Sequence, residues 1–373
     1  MIKKILHTIF SKMRVKRIIF FESVPDFSDN TKAVYDEFIK RGTNGRYKMI
    51  WLTDSDHPKN EKKRNLECIN WKTRMGKLRY FYTLHTAKCL VSCNRFLVTS
   101  RKKQYSFYLT HGTPIKSVKN YYTIPKGIDY CIAASEGVTE IYAHEFNYSA
   151  EKIVPLGFPR NDAIFRNVDI KTPLVTNCDK VIVWYPTFRQ MKKGLKTAST
   201  HALPVIHDTE MAKSLNEVAK NNNTLIVLKP HFAQDLSYIK DLGLSNIRFI
   251  DDSFFVDNGI SSYEFVGSCD ALITDYSSIY YDFTLCDKPI AAIWEDIDEY
   301  KENPGLIDNY EFYMKGAEKI YTADELERFV SDVANGIDNL KAERNEIKAL
   351  VNYSDDGKNA ERVVDFIIEK AGL

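Results

Sequence analysis

Five short polar motifs in this chain each follow an apolar, strand-like run, and they share the residue types of phosphate chemistry. The first is Thr110-His111-Gly112-Thr113-Pro114, after the run Tyr105–Leu109. Imidazole is the side chain most readily used as a general base near neutral pH. Gly112 lets a substrate come close to the backbone. The competing reading of His111 is a buttress for a turn. The second motif, Leu156-Gly157-Phe158-Pro159-Arg160-Asn161-Asp162, sets a tight loop. Arg160 is a candidate partner for a phosphate, and Asp162 for capping the next helix or holding Arg160. A salt-bridged inter-domain turn fits the same residues. The third, Trp184-Tyr185-Pro186-Thr187-Phe188-Arg189, brings Arg189 to a strand end, with Lys192, Lys193 and Lys196 continuing the charge. That is either a pyrophosphate contact or a solvated basic loop.

The fourth motif, Leu228-Lys229-Pro230-His231, sets a cation beside an imidazole, and either can neutralise a phosphate oxygen. The fifth is Ile273-Thr274-Asp275-Tyr276-Ser277-Ser278-Ile279-Tyr280-Tyr281-Asp282-Phe283. Here a strand gives way to small polar residues that open a helix. Free N–H groups there, with the Ser277 and Ser278 hydroxyls, form an anion site of the kind that holds a pyrophosphate without a metal. An ordinary serine N-cap is the plain alternative. Upstream, Glu264 is a candidate for a ribose hydroxyl, or a surface acid with no such role. The pair Asp251-Asp252 is too little to specify a metal, and neither metal nor cofactor is expected.

The elements that position these motifs read as strands alternating with helices. Strands are expected at Arg17–Ser23, Lys48–Asp54, Cys89–Asn94, Tyr105–Thr110, Tyr130–Ala134 and Ile153–Leu156. A second set is expected at Val181–Tyr185, Thr224–Lys229, Ile247–Asp251, Ala271–Thr274 and Pro289–Trp294. Helical patterns run over Thr31–Arg41, Met75–Lys88, Glu136–Asn147, Thr209–Asn221 and from Thr322 onward. Such alternation predicts parallel sheets covered on both faces, with ligands bound beyond the carboxyl ends of the strands. Two sets predict two Rossmann-like domains, residues 1–172 and 173–373, joined through the polar stretch Asn167–Asp179. The last segment, Asp355–Ala371, is a candidate to pack back across the joint.

Composition narrows the class. The 373 residues are 44% hydrophobic, more than one core usually absorbs. Lys and Arg total 52 against 50 acids, a net charge of +2, which argues against general capture of nucleic acid. The seven cysteines are scattered, and Cys89 and Cys93 lie in an apolar run, so buried thiols are expected rather than zinc ligands. No apolar run approaches the ~20 residues that span a bilayer, and the N-terminus lacks the pattern of a secretory signal. That N-terminus does place Ile2, Ile5, Leu6, Ile9, Phe10 and Met13 at helical spacing, among Lys3, Lys4, Lys12, Arg14, Lys16 and Arg17. A basic amphipathic helix of this kind lies on an anionic membrane or packs on the first domain.

As an ordered set, HGTP (His111–Pro114), GFPRND (Gly157–Asp162), YPTFR (Tyr185–Arg189), KPH (Lys229–His231) and TDYSSIYYDF (Thr274–Phe283) resemble the motifs of the CDP-glycerol glycerophosphotransferase family, the teichoic-acid primases and polymerases. The resemblance implies an α/β, GT-B fold with two Rossmann-like domains facing a central cleft and the nucleotide held mainly by the C-terminal one. It implies transfer of glycerol phosphate, or a related polyol phosphate, from CDP-glycerol or CDP-ribitol to an acceptor hydroxyl. The product is a teichoic-acid or capsule-type polymer, and CMP is released. It further implies His111 as base, His231 at the donor's phosphates, Arg189, Ser277 and Ser278 as donor ligands, a lipid-linked or polymeric acceptor, and a cytoplasmic, membrane-surface location. Phe232 after KPH, where a further proline is expected, and the loosely matching Lys301–Gly305 depart from the family pattern. A GT-B glycosyltransferase using a nucleotide sugar is the main alternative. A non-catalytic nucleotide- or membrane-binding protein is the second, against which His111 and His231 both argue.

Overall fold

The computed structural model describes residues 8–56, 65–98, 101–187, 203–230 and 236–373. The chain forms two compact units. The first comprises Met1–Thr113, Lys119–Asp162 and Tyr353–Leu373; the second comprises Pro114–Val118 and Ala163–Asn352.

The first unit holds β1 (Lys16–Glu22), β2 (Lys48–Thr53), β3 (Leu66–Asn70), β4 (Ala87–Ser92), β5 (Tyr105–Tyr108), β6 (Tyr130–Ala133) and β7 (Ile153–Pro155). They form one sheet in the order β3-β2-β1-β4-β5-β6-β7, and every pair is parallel. Near-continuous apolar runs such as Ile18–Phe21 suit strands buried on both faces. Successive residues then point to opposite sides. Ile19 and Phe21 join Val34, Tyr35 and Phe38 of the helix Asp29–Lys40 and Val363, Val364 and Ile367 of the last helix, Asn359–Ala371. Ile18 and Phe20 join Tyr80 and Leu84 of the helix Arg74–Thr86. The last helix is therefore part of the first unit's core.

The second unit holds β8 (Lys180–Trp184), β9 (Thr224–Leu228), β10 (Ile247–Phe249), β11 (Ala271–Thr274), β12 (Ile290–Ile293) and β13 (Glu318–Ile320). Their order is β10-β9-β8-β11-β12-β13, again all parallel. In each sheet the strand order reverses once, at β1/β4 and at β8/β11. Such reversals open a crevice at the strands' carboxyl ends. The register puts Glu22 opposite Ser92 and Ser92 opposite Tyr108, so the chain exits from β1, β4 and β5 lie side by side. In the second sheet Trp184 pairs with both Leu228 and Ile273, which aligns the exits of β8, β9 and β11.

Candidate active site

His111 leaves β5 through a loop of unusual backbone. Thr110 has φ 52° and Gly112 φ 143°, conformations costly for most residues. The surrounding side chains hold this loop in place. Asn30 is fully buried; its Nδ2 donates to the carbonyls of Leu109 (3.3 Å) and Thr110 (3.1 Å). Its Oδ1 accepts from the Arg160 N–H at 3.1 Å. Arg160 Nη1 donates to Asp29 Oδ1 at 2.8 Å and to the His111 carbonyl at 3.0 Å. Thr113 is buried, with its hydroxyl 3.3 Å from that of Tyr142.

The His111 ring itself is exposed, with Nδ1 3.2 Å from the Cys93 carbonyl that follows β4. A carbonyl can only accept, so this contact is a hydrogen bond when Nδ1 carries the proton, and in the neutral ring that arrangement leaves the Nε2 lone pair free. That is the tautomer a general base needs. Neither Asn30 nor Asp29 stood out in the sequence, where Ser28-Asp29-Asn30-Thr31 reads as ordinary helix-start chemistry.

The GFPRND loop does different work from the phosphate contact expected of it. The Arg160 guanidinium is almost wholly buried and engaged with Asp29 and the His111 loop. Asp162 accepts from the N–H groups of Asn359 and Ala360, both at 2.8 Å, and so caps the last helix across a long stretch of chain. Burial raises its carboxyl above the ordinary value against those two donors. Gly157 sits at φ +83°, and a Cβ there would lie 2.2 Å from Asn359 Oδ1. Only glycine fits that approach.

The second unit gathers another group at the exits of β8, β9 and β11. Thr274 is buried and donates to the Tyr185 carbonyl at 2.9 Å. Asp275, also buried, accepts from the Thr187 N–H at 2.8 Å and from its hydroxyl. These two tie the exits together and have no exposed face for a ligand. Lys229 pairs with Asp252 at 2.9 Å, but Asp252 is 78% exposed and holds it weakly. Asp251 caps the helix Asp252–Asn258 by accepting from the Ser253 N–H.

Ser277 and Ser278 are half-buried, and neither hydroxyl has a protein partner among the described residues. The helix behind them, Ile279–Phe283, is only five residues long. The hydroxyls, more than a helix dipole, are what this segment offers an anion. Glu264 lies apart from that group. It completes the capping box of the helix Ser262–Ser268 with Ser261 and pairs with Arg166 at 3.2 Å. Burial pushes its carboxyl up, but the Ser261 N–H and Arg166 outweigh this and leave it lowered. The ribose contact expected of Glu264 competes with both partners. Arg189, His231, Lys192, Lys193 and Lys196 lie outside the described residues.

Two Rossmann-like domains, each a parallel sheet with one reversal of strand order, make this an α/β protein of the GT-B class. The model of the family described as CDP-Glycerol:Poly(glycerophosphate) glycerophosphotransferase matches residues 5–369, and the chain belongs to that family of enzymes. It is 25% identical over 319 residues to the Teichoic acid poly(glycerol phosphate) polymerase of Bacillus spizizenii, covering 78% of this chain and 77% of that protein. It is 28% identical over 335 residues to the polymerase of the same name from Staphylococcus epidermidis, covering 80% of this chain but 43% of that longer protein. The solved structure of the Wall Teichoic Acid Polymerase TagF superposes with a TM-score of 0.72 at 23% identity, covering 99% of this chain and 94% of that one, which shows the shared fold.

Proposed function

We propose that this chain transfers glycerol phosphate, or a closely related polyol phosphate, from its CDP-linked donor to an acceptor hydroxyl in teichoic-acid or capsule-type polymer synthesis, releasing CMP. Family membership supplies the donor class, and the observation that carries the chemistry is the exposed imidazole of His111, whose Nδ1 lies 3.2 Å from the Cys93 carbonyl. Nε2 takes the acceptor's proton as its oxygen attacks the β-phosphorus. The bond from that phosphorus to the oxygen bridging it to CMP breaks, and CMP leaves with the electron pair. Lys229, Ser277 and Ser278 stabilise the phosphate charge, joined by Arg189 and His231. Positioning and electrostatics provide most of the acceleration. Gly112 and Thr113 shape the base loop. Arg160, Thr274, Asp275 and Glu264 hold the framework that these groups need.

We place the enzyme on the cytoplasmic face of the membrane. Among the described residues no helix is long and apolar enough to cross a bilayer. Ile9 and Met13 are exposed, beside the cations Lys12, Arg14, Lys16 and Arg17. That supports lipid contact by the N-terminal segment.

The test is a screen of CDP-glycerol, CDP-ribitol, UDP-sugars and GDP-sugars with lipid-linked acceptors. CMP release from a CDP-polyol alone is the expected result. Turnover of a nucleotide sugar overturns the reading, as does tight CDP binding without product under any acceptor.

A further inference from the structure

Glu22 ends β1 at the reversal of strand order and is fully buried, although it follows the apolar run Ile18–Phe21. Its main-chain carbonyl accepts from the Cys93 N–H at 3.3 Å. Its Oε2 accepts from the N–H groups of Asn94 (3.2 Å) and Arg95 (2.9 Å). Its Oε1 has no partner among the described residues. One side chain therefore clamps the turn leaving β4. The same turn is braced by the Tyr122 hydroxyl on the Asn94 carbonyl (3.2 Å) and by the Val24 N–H on Asn94 Oδ1 (2.8 Å). Its Cys93 carbonyl is the group that meets His111 Nδ1.

We propose that Glu22 is a positioning residue for His111: through the turn Cys93–Arg95 it fixes the carbonyl that meets the ring's Nδ1 and so sets the imidazole's tautomer. This rests on the reading of His111 as the base. The clamp needs no charge, since an amide oxygen accepts the same two N–H groups. Burial pushes the Glu22 carboxyl up to about 7, opposed by the Arg95, Asn94 and Cys93 N–H groups and the Arg95 guanidinium. The groups facing it are Arg95, itself paired with Asp54, the Cys93 thiol, Tyr80 from the helix Arg74–Thr86, and Tyr122. Below that pH Glu22 is neutral.

The test is an NMR measurement of the His111 tautomer in the full chain, wild type against Glu22→Gln and Glu22→Ala, with CMP release from CDP-glycerol measured in parallel. Glu22→Ala is expected to mix the tautomers and lower kcat about tenfold or more at unchanged KM, while Glu22→Gln restores most of that loss. A kcat lowered about tenfold in Glu22→Gln overturns the proposal and needs no folded Glu22→Ala protein, as does wild-type kcat in Glu22→Ala. Near-normal turnover by His111→Ala, with the effect of Glu22→Ala on the His111 tautomer intact in the otherwise wild-type chain, sinks the base reading and leaves the positioning role standing.

Discussion

Replacing Arg160 with methionine separates two roles that the sequence left open. Methionine keeps the aliphatic stem and removes the guanidinium. The lost contacts are the ion pair with Asp29, whose two side chains are 8% and 18% exposed, and the hydrogen bond to the His111 carbonyl. Removing one partner of a buried pair costs about 3–5 kcal/mol, because the other charge stays buried. The residual exposure of Asp29 puts the pair near the low end. The carbonyl loses a charged hydrogen bond of about 1.5–3 kcal/mol, which overlaps with the first loss rather than adding to it. The expected drop in unfolding free energy is therefore about 3–5 kcal/mol. It shrinks by about 1–3 kcal/mol when Asp29→Asn is added, since no buried charge then remains. Urea unfolding of the two single variants and the double variant gives these values. In CMP-release assays kcat is expected to fall about 10–100-fold through the displaced His111 loop, with KM for CDP-glycerol within about twofold. A KM raised about tenfold or more, with kcat and stability unchanged, would make Arg160 a phosphate ligand and refute the reasoning.

Three further outcomes follow from other parts of the molecule. Gly157→Ala forces a Cβ to 2.2 Å from Asn359 Oδ1 at φ +83°, so thermal or urea unfolding is expected to show a loss of about 2–3 kcal/mol. Ser277→Ala and Ser278→Ala each remove one hydroxyl that the proposed function assigns to the donor's phosphates. Each is expected to raise KM for CDP-glycerol about tenfold, the equivalent of one charged hydrogen bond of about 1.5 kcal/mol, with melting unchanged. The Glu22 carboxyl, raised from 4.5 to about 7, holds its proton in the folded state after the unfolded chain has released it. Its contribution is complete below pH 4.5 and disappears as pH rises through 7, a loss of about 3 kcal/mol. Urea midpoints from pH 5 to 9 should show that slope in the wild type and not in Glu22→Gln.

The fold class was legible because long apolar strands announce themselves. The runs that became β1, β4, β8 and β9 are buried on both faces and need no alternation to be seen. The edge strands β3 and β13 were missed. Leu66–Asn70 is mostly half-buried and mixed in polarity, and Glu318–Ile320 is three residues long. The helices Asp252–Asn258 and Ser262–Ser268 were missed too, being seven residues each and too short to show a helical period.

At the candidate site, His111 could be read from its place after an apolar run, and its neighbours could not. Arg160 meets Asn30 across 130 positions, Asp162 meets Asn359 across 197, and Glu22 meets the turn after β4 across more than 70. Local pattern shows what a residue type can do. Contacts this distant decide whether an arginine faces a phosphate or braces a loop.

The measurement that bears most directly on the whole account is single-turnover CMP release from CDP-glycerol by His111→Ala, with donor binding and the melting curve recorded on the same sample. Loss of about 10²–10⁴-fold in the chemical step, at unchanged donor affinity and stability, is the expected result. Release within a few-fold of the wild-type rate would contradict it, for then the imidazole fixed by the Cys93 carbonyl takes no proton from the acceptor.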